Sequence, residues 1–197
     1  MPYQVYTTEA FVLRGTPSGE ADKNFLLLSR DFGMVHAYAQ GARALPSKLR
    51  PNLLDFSQIR VSLVRGRERW RIVNAELSRN FFQILRSSPV KLCVMARLFS
   101  FLRSRLHGEE RNPELFTALE AGLAALGEKA LTEGEIQAVE YITLARILFF
   151  LGYLRADENL SPLLSGESIS SREMARAGVI RRSLIRTINQ GIAESER

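Results

Sequence analysis

The chain has 197 residues, 46% of them hydrophobic and 24% charged. That suffices for one large or two small domains burying roughly 70% of their surface without covalent staples, and it excludes the composition of a disordered protein. A single cysteine, Cys93, rules out an internal disulfide, and no Cys/His run has zinc-site spacing. The start Met1-Pro2-Tyr3-Gln4-Val5 has neither the basic lead nor the apolar core of a signal peptide, and no long uncharged apolar run follows. The expected setting is therefore a reducing cytoplasm with no membrane span.

Lys and Arg total 27 against 21 Asp and Glu, a net charge of +6. The distribution is more informative than the sum. Residues 1–77 hold eleven basic and seven acidic groups, 78–108 six basic and none acidic, and 109–140 two basic and eight acidic. A basic half beside an acidic stretch predicts a polyanion-binding surface with a separate neutral or acidic face. A generally Arg-rich surface would give the same sum, so composition alone leaves both readings open.

In chain order, the first elements are strands. Glu9–Leu13, Phe25–Leu28, Met34–Tyr38 and Ile59–Leu63 are short, apolar or alternating, and separated by Gly, Pro, Asp or Ser. Asp31-Phe32-Gly33 reads as a tight turn between the second and third strands. Arg65-Gly66-Arg67-Glu68 turns the strand of Ile59, Val61 and Leu63 back into one containing Trp70 and Ile72. Five or six such strands without a long intervening helix predict a small closed or partly closed barrel, for which the five-stranded OB-fold is the size match.

After about residue 78 the apolar period changes from two to 3.6. Ser88-Pro89 supplies an N-cap and a first-turn proline for a helix from Val90 to Leu106, ended by Gly108. Its apolar positions cover about half the circumference, which predicts a place near the centre of a bundle. Asn112-Pro113 opens a second helix that ends at Gly127, and Thr132 with Glu135 forms a capping box for a third that ends at Gly152 and is apolar nearly all round in its last two turns, as a buried helix should be. A last helix runs through Ile180, Leu184, Ile188 and Ile192. Ala156 to Ser171, with Pro162, Gly166 and several Ser, reads as loop. The expected architecture is α+β in two parts: an OB-fold β-barrel over residues 1–78 followed by an all-α helical domain over 79–197.

A string of motifs in the first part resembles the bacterial RecO family. In order these are Ala10–Arg14, Gly19–Lys23, Leu28–Gly33, Ala39–Arg43, Ser47–Arg50 and Leu54–Phe56, with Ala75-Glu76 continuing the pattern; Phe150–Leu154 extends the likeness more loosely into the helices. The resemblance implies a non-enzymatic mediator of DNA repair and homologous recombination. Such a protein binds single- and double-stranded DNA, anneals strands, engages the C-terminal tail of single-strand DNA-binding protein and, with RecR, helps load RecA in a cytoplasmic, nucleoid-associated setting. Many family members carry a four-cysteine zinc element after the Leu-Gly-Tyr segment. Here Arg155–Gly166 stands in that place without a cysteine, so neither a metal nor another cofactor is expected.

Read from the residues themselves, an OB-fold binds single strands with a basic groove for phosphates and aromatics on which bases stack. Arg14, Lys23, Arg43, Lys48, Arg50, Arg65, Arg67, Arg69 and Arg71 fall on predicted strand ends or turns, where they can meet a phosphate backbone. Arg43, Lys48 and Arg50 are the first choice; the second cluster could instead be a solvated, edge-protecting hairpin tip. Trp70, alternating with Arg69 and Arg71, should point into the core, while Tyr38, Phe32 and Phe56 could stack bases or fill the core. Without a clear external aromatic pair, binding should rest mainly on phosphate contacts. On the helices, Arg97, Arg103 and Arg105 could line a rim for an acidic peptide or simply be solvated. Catalysis finds no support: His36 and His107 lack a Ser or Cys partner, no phosphate-cradling glycine loop is present, and Glu20 with Asp22 is a lone carboxylate pair. The duller role of that pair is a turn after Pro17-Ser18-Gly19, with a contact to Lys23, and Cys93 reads as a small packing residue. A protein-docking adaptor, whose barrel is mainly an interaction surface, and a general single-stranded RNA- or DNA-binding protein are the alternative functions.

Overall fold

The computed structural model describes residues 4–67, 69–128 and 130–195; Met1 to Tyr3, and Glu68 of the predicted hairpin tip, lie outside the described residues. The chain divides into two compact units, Met1–Ile84 with Leu106–Pro113, and Leu85–Arg105 with Glu114–Arg197.

The first unit is a closed barrel of five strands: β1 (Val5–Ser18), β2 (Asp22–Ser29), β3 (Gly33–Ala39), β4 (Ser57–Arg65) and β5 (Trp70–Asn80). Each predicted strand is present. The spatial order β1-β2-β3-β5-β4 closes through an antiparallel β1–β4 pairing and a short parallel β3–β5 pairing, Ala37 beside Trp70 and Tyr38 beside Arg71. Alternation fills the interior: Ala10, Val12, Phe25, Leu27, Val35, Ala37, Ile59, Val61, Leu63, Trp70 and Ile72 form one apolar cluster. A bulge between Val12 and Arg14 resets the alternation in β1, so that Gly15 faces the interior side and Arg14 is left exposed. Gly33 closes the β2–β3 turn at φ 63°, and a Cβ there would fall 2.2 Å from the Glu110 carbonyl oxygen. Met34 N–H donates to the Gly108 carbonyl (3.2 Å), so the 106–113 segment is tied onto the barrel.

The second unit consists of α2 (Pro89–Arg105), α3 (Pro113–Gly127), α4 (Glu133–Phe150), α5 (Ser161–Leu164), α6 (Ser171–Val179) and α7 (Arg181–Glu194), and a short α1 (Phe81–Leu85) follows β5 directly. The Thr132–Glu135 capping box forms as expected, with Glu135 Oε2 accepting from Thr132 N at 2.8 Å. That hydrogen bond holds the exposed Glu135 carboxyl below its ordinary pKa. Two expectations are corrected. The central helix is α4, which packs against α2, α5, α6 and α7; α2 buries one stripe of Val94, Met95, Leu98, Phe99 and Leu102 and leaves Val90 exposed. The segment 156–171 is not all loop: it contains α5, and a second capping box, Ser170 with Glu173, opens the unforeseen α6.

That segment is organised by a charged group inside α4. Arg146 is fully buried; its Nε donates to the Leu163 carbonyl (2.8 Å), Nη1 to Ser168 (3.0 Å), and Nη2 to Ser165 (3.3 Å) and to Glu173 Oε1 (2.6 Å). Burial lowers the guanidinium pKa and Glu173 pulls it back up. The donor set does not fit a zinc ion: Arg155–Gly166 contains no cysteine, and no group of three or more His, Cys, Asp or Glu suited to a metal occurs among the described residues. Removing one partner of such a pair strands several acceptors and a carboxylate. Arg146→Ala should therefore cost about 3–5 kcal/mol, read as a lowered urea midpoint of the helical signal; a loss below 1 kcal/mol would show the carbonyl cage to be unimportant.

Candidate nucleic-acid interface

The long β3–β4 connection, residues 40–56, folds back over the barrel mouth. Gly41 takes φ 63° and donates its N–H to Asp22 Oδ1 (2.7 Å), and Arg43 N–H donates to the Ala21 carbonyl (2.8 Å) while its Nη1 reaches the Gly19 carbonyl (2.9 Å). Asp22 is thus a loop clasp; it does not pair with Lys23, as the sequence had suggested. Lys23 instead lies 5.0 Å above the Phe25 ring and 3.8 Å from Asp55. The result is a concavity of about 440 Å³ whose walls are Pro17, Phe25, Ala42, Leu53 and Leu54 and whose charges are Lys23, Arg43 and Arg50. Three cations with an apolar wall form a surface suited to a phosphate chain and the sugars beside it.

Of the nine barrel cations predicted, three therefore converge. Lys48 is exposed on the same connection but does not line the concavity, and Arg14 is exposed on β1 beyond the bulge. At the β4–β5 hairpin, Arg65 pairs with Glu109 (3.1 Å) and lies 5.2 Å over the Trp70 ring, and Arg67 is exposed. Arg69 lies 5.7 Å over the Tyr38 ring, and Arg71 stands beside Tyr38 across the parallel pairing. Trp70 is buried in the core as expected, its indole N–H donating to Glu109 Oε1 (2.8 Å) and its ring packed against Tyr6 and Phe32. Phe32 packs against the core, and Phe56 sits at φ 62° with its N–H on the Val12 carbonyl.

On the helices, Arg97 makes a two-pronged ion pair with Glu140, Nε–Oε1 2.5 Å and Nη2–Oε2 2.6 Å, and this raises its pKa. Cys93 is exposed and accepts from Arg97 Nη1 (3.0 Å), which corrects its assignment as a packing residue. Arg103 and Arg105 follow near the end of α2 and are half-buried.

Sequence reasoning missed the residues that position Lys23. Gly15 pairs with Phe25, and a Cβ on it would meet Lys23 Cε at 2.5 Å and Phe25 Cε1 at 2.9 Å. The signal was a glycine inside an alternating strand, which marks a close approach. Gly15→Ala should push the lysine off the ring and away from Asp55, so that Lys23 acylates faster in timed acetylation followed by mass spectrometry; an unchanged rate would mean the ammonium is not held there.

Fold and site together define a class: a five-stranded barrel with a basic mouth, carried ahead of an all-helical unit. Residues 1–81 match the family described as Recombination protein O N terminal. Among curated relatives, the DNA repair protein RecO of Dehalococcoides mccartyi (strain 195) is 33% identical over 65% of this chain and 50% of its own length. The DNA repair protein RecO of Thermodesulfovibrio yellowstonii is 28% identical over 76% of this chain and 58% of its own, and that of Myxococcus xanthus is 29% identical over 71% and 57%. The chain is thus similar to RecO proteins, over its first 81 residues to the family model and over a longer stretch to the curated relatives. It spans about half the length of the curated relatives it matches.

Proposed function

We propose that this chain is a non-enzymatic mediator of DNA repair and homologous recombination whose barrel, an OB-fold, binds single- and double-stranded DNA through its basic loops. The observation that carries the reading is the convergence of Lys23, Arg43 and Arg50 on one concavity at the barrel mouth. The strand order, with β1 between β2 and β4 and β3 parallel to β5, supports the OB-fold assignment. Such a surface holds phosphates without reading bases, which suits a protein that must act on any sequence.

The resemblance to RecO proteins extends the proposal to partners: RecR, the C-terminal tail of single-strand DNA-binding protein, and through them RecA loading and strand annealing in the cytoplasm, at the nucleoid. In the helical unit, α4, α6 and the start of α7 enclose a second concavity of about 360 Å³ with Ala138, Tyr141, Met174 and Ala177 on its walls and Arg181 and Glu135 among its charges. An apolar floor beside an arginine has the chemistry a tail ending in an aromatic residue and a carboxylate requires. Arg97 is already committed to Glu140, which favours this groove over the α2 face. No helix among the described residues is long and apolar enough to cross a membrane.

The test is fluorescence anisotropy with a labelled oligonucleotide over a salt series. Changing Lys23, Arg43 and Arg50 together to Ala should weaken binding about tenfold or more and reduce the slope of log K against log salt by about 2, three phosphate contacts being worth roughly 0.7 each on a single strand. Unchanged affinity and slope would refute the assignment of the mouth.

A further inference from the structure

We infer that Tyr38 is a stacking platform for an unpaired base, used by single strands and not by duplex; the inference rests on the DNA-binding reading above and adds a second kind of contact to it. Alternation fixes where the side chain points. Val35, Ala37 and Ala39 of β3 belong to the barrel core, so His36 and Tyr38 face outward; Trp70 and Ile72 belong to it too, so Arg71 faces outward. Register then aligns Thr16, Asn24, Tyr38 and Arg71 as one row across β1, β2, β3 and β5, all half-buried. Most other barrel aromatics are spent elsewhere: Phe25 and Trp70 fill the core, Tyr6 and Phe32 pack against it, and Phe11 is fully buried beside Phe81.

Tyr38 is therefore an outward ring that the core does not use, and its hydroxyl has no hydrogen-bond partner among the described residues. Cations flank it on one side: the Arg69 guanidinium lies 5.7 Å over the ring, and Arg71 is the adjacent residue of the row. Arg69 approaches the ring as a cation–π partner and hangs from the β4–β5 hairpin, the loop next to this face. When a base takes the ring, the guanidinium moves to that nucleotide's phosphate, so ring and charge serve one nucleotide together. A base can lie flat on Tyr38 only when it is unstacked and unpaired. Duplex, whose bases are inside, is left with the phosphate contacts of the mouth. The ring thus distinguishes strand state, which the cations cannot do.

The experiment measures wild type, Tyr38→Ala and Tyr38→Phe against a labelled oligothymidylate and a blunt duplex of equal length, in anisotropy over a salt series, with the Trp70 emission spectrum as the check on the barrel. Tyr38→Ala should bind the single strand about 5- to 150-fold more weakly, the range that base–aromatic stacking spans, with its salt slope unchanged; duplex affinity should stay the same, and Tyr38→Phe should bind both probes like wild type. A second measurement uses only wild-type protein: an oligonucleotide carrying 5-iododeoxyuridine should photocross-link to the peptide that contains Tyr38. Full single-strand affinity in Tyr38→Ala, an equal loss on both probes, or a cross-link found only on other peptides would overturn the inference and leave the mouth assignment standing. If instead the triple Ala variant of the mouth kept its salt slope while Tyr38→Ala lost single-strand affinity, the mouth assignment would fall and the stacking role would survive.

Discussion

The barrel depends on one short closure. Four of its five strand pairings are antiparallel and extend over seven or more residue pairs, whereas β3 meets β5 in parallel through Ala37–Trp70 and Tyr38–Arg71. Without that contact the sheet would be open, with β3 and β5 as free edges. Closure buries Trp70 against Tyr6 and Phe32, and the same pairing sets Arg71 beside Tyr38 on the outside. Core and surface are therefore not independent here, because one register fixes both.

A similar economy runs through the mouth. Gly15 makes room, Phe25 supplies a ring and Asp55 a carboxylate, and between them they fix where the Lys23 ammonium sits. Arg43 is anchored by its main chain and its guanidinium to the β1–β2 turn, so it reaches the concavity from a second loop already joined to the first. A flexible lysine or arginine loses rotamer entropy when it takes a phosphate; these arrive partly ordered, which lowers that cost.

How much of this was legible varies with the distance over which each feature is decided. The strands announced themselves because alternation and Gly or Asp punctuation are local, and so did the Thr132 cap of α4. The helix α6 was overlooked because it buries only Met174 and Ala177, too few apolar positions for a periodicity, although Ser170 and Glu173 carried its capping signal. The central place of α4 was partly visible in its apolar turns. Arg146 was not, since a charged residue in an apolar helix acquires its meaning only from carbonyls more than fifteen residues away. For the basic residues, the sequence identified the type and could not group them: whether Lys23, Arg43 and Arg50 meet depends on how residues 40–56 fold back, and no periodicity encodes that. Tyr38 stayed ambiguous because alternation has no inside until the barrel provides one.

The Arg146 guanidinium holds the stretch that follows the Leu-Gly-Tyr segment, the place where the resemblance to RecO implies, for many proteins, four thiolates around zinc. A thiolate cage is only as durable as its redox state and the supply of metal: oxidants and chelators both dismantle it. A guanidinium held by three backbone carbonyls and a carboxylate draws on nothing outside the chain and has no thiol to oxidise. The contacts that order the segment around α5 thus need neither a supply of metal nor a reducing environment.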